Sequence, residues 1–125
     1  SFTDYVKFAR VHLAALRGQQ PAALPLSLAA FGRLHQAVSF EGYGEGEGYT
    51  TGAWRTVWNV DDHRPGTVLF HWGTNFFYHA GVLINAERNL IALACTNACN
   101  DMMARFATHM AFQTLCDAVA VPAKE

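Results

Sequence analysis

A chain of 125 residues, 51% hydrophobic and 13% aromatic, suffices for one packed domain and is too apolar for a disordered segment. Nine basic residues against ten acidic ones give a formal net charge of -1 with no Lys/Arg cluster, which argues against a nucleic-acid or anionic-membrane surface. No apolar run reaches the roughly 18 residues of a membrane span, and the N-terminus has no basic-then-apolar signal pattern.

The chain opens inside a helix signature, "SFTDYVKFARVHLAAL", as a piece of something longer would. Ser1 and Asp4 are spaced as a capping box, each satisfying a free amide of the first turn. Tyr5, Phe8, Val11 or His12, and Ala15 or Leu16 then recur at helical spacing until Gly18, a natural stop. "QQPAALP" is a linker, and Ser27 caps a second, shorter helix with Leu28, Phe31 and Leu34 or His35 on one face.

"EGYGEGEGY", Glu41 to Tyr49, superficially resembles a phosphate loop. Such a cradle follows a strand and opens a helix, whereas here glutamates interleave the glycines and β-branched and aromatic residues follow. The expected structure is a mobile surface loop entering a strand.

An antiparallel meander follows. Its expected strands are about Tyr49 to Val60, Thr67 to Trp72, Phe76 to Asn85 and Asn89 to Thr96, with turns at "DDHRPG" and "AER". The apolar last strand predicts burial on both faces and hence a layer on each side. Asn97 to Asn100 lead into a long helix whose stripe of Met102, Phe106 and Met110 is expected to lie across the sheet. The fold class is therefore α+β, helical over 1–38, a strand meander over 49–97 and a terminal helix over 100–119. The apolar content exceeds what so small a domain covers, so the missing layer is expected from another chain or the rest of the same one.

Cys95, Cys99 and Cys116 are an odd set and exclude a complete disulfide framework; Cys95 and Cys116 read as small buried hydrophobes. His63, His71 and His79 are spaced by eight, but even spacing across separate strands defines no metal site, and no metal or cofactor is expected. Solvated turns account for Asp61, Asp62, Glu87 and Arg88. Of the three serines, Ser1 and Ser27 read as caps and Ser39 has no nearby lysine; neither S-x-x-K nor G-x-S-x-G occurs.

That leaves the knot His71-Trp72-Gly73-Thr74-Asn75. A strand-end His can move a proton beside a reacting carbonyl, and a Gly two residues later lets a backbone amide approach an oxyanion. The same residues also suit an ordinary hairpin start.

The order of helix "DYVKFARVHLAALRG", strand "YTTGAW", "HWGTN", "FFYHAGVLINAERNL", "IALACTNA" and a long helix resembles the C-terminal part of the serine β-lactamase-like hydrolases. These include class C β-lactamases, D-alanyl-D-alanine carboxypeptidases and esterases. "HWGTN", "NAERNL" and "LACTN" match that family's late signature, with Asn85-Ala86 where a proline often stands. The resemblance implies a β-lactamase-like α/β sandwich and acyl-enzyme chemistry on a β-lactam, a D-Ala-D-Ala peptide or an ester. By that resemblance His71 and Gly73 belong to the third motif (K-T-G or H-x-G), and the Thr74 amide is an oxyanion-hole candidate. Trp72 departs from the small residue expected there. The S-x-x-K and Y-x-N motifs are missing, so the partner implied is the upstream part of the same protein, or a second chain, carrying them. A typical family member is periplasmic or secreted. The alternatives are a non-enzymatic binding module on the same scaffold, or a self-contained α+β domain that dimerises to cover its sheet.

Overall fold

The computed structural model describes residues 1–38, 48–59, 64–97 and 101–119. Helix α1, Phe2–Leu16, starts at the Ser1 capping box, with Ser1 Oγ accepting from the Asp4 amide and donating to Asp4 Oδ2 at 2.7 Å. Helix α2, Leu28–His35, is capped by Ser27, whose Oγ accepts from the Ala30 amide at 3.2 Å. Both caps fall where the sequence predicts them.

Six described strands follow: β1 Ala37–Val38, β2 Gly48–Thr50, β3 Arg55–Asn59, β4 Arg64–Thr74, β5 His79–Asn85 and β6 Leu90–Thr96. They form one antiparallel sheet in chain order. Helix α3, Asp101–Ala118, closes the fold. The α+β class and the meander are as expected, with two more strands than four. Most of the Glu41–Tyr49 loop, the Asp61–His63 part of the expected turn, Ser39 and Cys99 lie outside the described residues.

The expected first strand is split, and α2 explains the split. Helix ends leave carbonyls without intrahelical partners. Here the Arg33 carbonyl accepts from the Thr51 hydroxyl, and the Leu34 carbonyl accepts from the Gly52 amide at 2.9 Å. A Cβ on Gly52 would stand 2.8 Å from the Leu34 oxygen, so only glycine permits this approach. Thr50 closes the turn from both sides, its amide donating to the Trp54 carbonyl and its hydroxyl accepting from the Trp54 amide.

β4 starts earlier than expected and runs through Pro65-Gly66 rather than turning there. It pairs with β3 from Arg64 to Phe70 and with β5 only from Val68 to Thr74. Among the described strands β4 thus has only β3 beside it at Pro65, the edge setting in which a strand tolerates proline. β5 starts later than expected, because Thr74 and Asn75 build a turn. Thr74 Oγ1 accepts from the Phe76 amide, while Asn75 Oδ1 accepts from the Phe77 and Tyr78 amides. Phe76 takes a positive φ of 73° there. The "AER" turn is present: the Asn89 amide donates to the Ala86 carbonyl, and Asn85 Oδ1 accepts from the Arg88 amide.

Strand alternation sorts the sheet into two faces. On one, Leu69, Val82 and Ile84 pack with Ala9 and Trp54 in a buried cluster joined by Tyr5, Leu13, Leu16, Ile91 and Leu93. This is the α1 face. On the other, Gly81 lies under α3, where an added Cβ would meet Thr108 Cγ2 at 2.9 Å and Phe112 Cζ at 3.1 Å. β6 thus has α1 on one side and α3 on the other, although it is the last strand of the sheet and only Ala92 in it is fully buried. Gly81→Ala is expected to push α3 outward and cost about 1–2 kcal/mol, read as a lower urea midpoint with an unchanged slope.

Two expectations about burial are corrected. α3 does not turn Met102, Phe106 and Met110 inward: they are 73%, 60% and 46% exposed, while Ala104, Thr108 and Phe112 are buried. The inward stripe places Thr108 and the Phe112 ring directly over Gly81, whose missing side chain makes room for them. Cys95 is exposed rather than buried, and Cys116 is half-buried. Burial raises the Cys116 thiol above its usual range.

Candidate functional site

The five residues of the knot are divided by the strand that carries them. His71 lies opposite Val82 and so faces the α1 side, exposed, with its ring 6.1 Å from that of Trp54 in an edge-on contact. Trp72 lies opposite Gly81 and faces α3. Gly73 is exposed, and a Cβ built there would meet nothing within 4 Å. Packing therefore does not explain this glycine. Thr74 and Asn75 use their side-chain oxygens in the hairpin turn, so the knot is a hairpin start as well as a candidate site edge.

The position of His71–Thr74 at the end of the ladder matters more than any single contact. β3 pairs with β4 no further than Arg55 opposite Phe70. Beyond that point, among the described strands, β4 is bonded to β5 alone. Residues 71–74 consequently present one open strand edge, with alternate N–H and C=O groups directed outward.

Behind His71, Trp54 leads to a pair of histidines that sequence reading placed only on the inner faces of two helices. His12 Nδ1 and His35 Nε2 are 2.8 Å apart, one donating to the other. The His12 ring stands 4.6 Å from Phe8, 4.8 Å from Trp54 and 5.8 Å from Phe31. Burial, and then the neighbouring His35, push the His12 pKa down to about 4; burial also lowers that of His35. The signal for this pair was present, since both histidines fall on apolar helix faces joined by a short linker. What the pattern lacked was the docking of α2 on the Thr51–Gly52 turn, which fixes where His35 points.

His71 and His79 lie on opposite sheet faces, and His63 is outside the described residues, so their even spacing brings nothing together. Among the described residues no group of three or more His, Cys, Asp or Glu could hold a metal ion, and no helix is long and apolar enough to cross a membrane. Comparison with protein-family models, with curated proteins and with solved structures finds no match to this chain.

Proposed function

We propose that the chain is the C-terminal part of a serine β-lactamase-like hydrolase and supplies one wall of an acyl-transfer site whose nucleophile lies elsewhere. The observation that carries the reading is the open edge of β4 at His71–Thr74. An extended peptide or acyl substrate can lie along such an edge and bond to its backbone. His71 then flanks the reacting carbonyl, where its imidazole moves a proton or bonds the substrate carboxylate. Gly73 keeps that strand face clear, and the Thr74 amide is the oxyanion-hole candidate. A sheet with α1 on one face and α3 on the other agrees with the sandwich expected for the family.

Ser1 and Ser27 are committed to helix caps, which fits a site whose serine comes from outside this chain. The partner in this reading is a segment or second chain bearing S-x-x-K and Y-x-N. The substrate class is a β-lactam, a D-Ala-D-Ala peptide or an ester.

The chain alone is expected to hydrolyse neither nitrocefin nor a p-nitrophenyl ester. Turnover exceeding that of a His71→Ala control would place a nucleophile within the 125 residues and refute the assignment.

The alternative, a non-enzymatic interaction module on the same scaffold, draws on a different observation. Phe76, Phe77 and Tyr78 at the β4–β5 turn are 78%, 64% and 64% exposed, a surface suited to a protein partner. The reading frame upstream of Ser1 separates the two: S-x-x-K followed by Y-x-N favours the hydrolase, and their absence favours the module.

A further inference from the structure

The turn beside the His71–Thr74 edge is held by groups distant in sequence. Thr51–Trp54 immediately precedes β3, and the β3–β4 register continued past Arg55 would set these residues opposite Thr74 back to His71. They turn away instead. Ala53 takes a positive φ of 63°, a conformation that costs a residue with a Cβ. The Arg33 and Leu34 carbonyls at the end of α2 accept from the Thr51 hydroxyl and the Gly52 amide, so α2 keeps the turn folded back.

α2 in turn is fastened where His35 meets His12 of α1. The 2.8 Å between His12 Nδ1 and His35 Nε2 spans one N–H, donated by one ring and accepted by the other. Phe8, Phe31 and Trp54 close round His12, which is 6% exposed, and Phe31 also lies against His35. Among the described residues the one titratable group acting on His12 is His35, and no carboxylate acts on either ring to offset a charge. A proton added here is desolvated, and one on each ring repels the other. Trp54 is the link to the site, its ring 4.8 Å from His12 and 6.1 Å from His71.

We propose that α2 is an acid-operated latch on the β4 edge. With both histidines neutral, the shared N–H keeps α2 docked, its carbonyls keep the turn folded, and Trp54 backs His71. Protons on both rings replace that N–H by two that face each other. α2 then lifts from α1, and the turn and Trp54 are released from the edge. Once released, both histidines meet water, which favours their charged forms, so acid drives the release. The consequence for catalysis rests on the acyl-transfer reading; the latch itself is tested without it.

The test is amide exchange of the full chain, corrected for intrinsic rates. The Gly52 amide bonds to the Leu34 carbonyl and the Trp54 amide to the Thr50 hydroxyl. From pH 7 to pH 5 their protection is expected to fall at least about ten-fold, through a local opening that leaves the β4–β5 ladder closed and more strongly protected. The Trp54–His71 ring contact, read as a nuclear Overhauser effect, should fade in step. His12→Phe keeps the ring packing, removes the more deeply buried charge and should abolish most of the fall. Four results would each overturn the proposal: protection unchanged by pH, exchange only when the ladder also opens, a fall undiminished in His12→Phe, or a Trp54–His71 contact that survives the opening. An inactive complemented protein would instead refute the acyl-transfer reading and leave the latch standing.

Discussion

Lowering the pH from 6.5 towards 4 is expected to remove about 3 kcal/mol of folding stability through His12 alone, at ~1.4 kcal/mol per pH unit. The sign follows from the depressed pKa. Above pH 6.5 His12 is neutral in both states and contributes no slope. Below 6.5 the unfolded chain takes up a proton that the folded chain refuses until about pH 4, so acid favours unfolding across that window. His35, also lowered by burial, acts in the same direction. Its contact with His12 has room for one shared N–H and not for two facing ones. Urea midpoints measured between pH 7 and 4 check this. His12→Phe preserves the ring packing but removes the titrating nitrogens, and should flatten most of the slope. An unchanged slope would assign the acid sensitivity to other groups.

Phe112→Ala is expected to cost about 3–4 kcal/mol, whereas Phe106→Ala should change stability by less than about 0.5 kcal/mol. The two residues share a helix and a side-chain type, so the contrast isolates which face of α3 meets the sheet. Phe112 is 4% exposed and packs edge-on against Phe70 at 5.9 Å. Phe106 is 60% exposed. Chemical denaturation of the two variants decides the matter, and equal losses would mean that the helix is rotated from the orientation described.

That contrast also shows where sequence reading ends. A hydrophobic stripe identifies a helix, but α3 carries apolar residues on neighbouring faces, and the largest of them suggested the wrong side. The deciding partner was Gly81, on another element, whose missing side chain admits Thr108 and Phe112. The Ser1 and Ser27 caps were legible because they depend on residues three apart. So was the meander, from alternating apolar runs and local turns. The break at Thr51–Ala53 was not legible, since it depends on α2 carbonyls nearly twenty residues away. At the knot, the residue types marked His71, Gly73 and Thr74 as candidates. Only the register showed that pairing with β3 ends at Arg55, opposite Phe70, and leaves their strand edge open among the described strands. His79 was read as one member of a meaningless spacing, because its bond to Thr108 joins strand and helix 29 residues apart.

The central claim is that this edge forms one side of an acyl-transfer site. Its most direct test is acyl-adduct mass spectrometry on the chain joined to, or mixed with, the segment bearing S-x-x-K and Y-x-N. With a slow ester or a β-lactam, an adduct should form on that segment's serine. His71→Ala should slow acylation or deacylation by roughly a hundred-fold, the scale of one positioned proton-transfer group. Adduct formation and release at unchanged rates in the His71→Ala protein would contradict the claim.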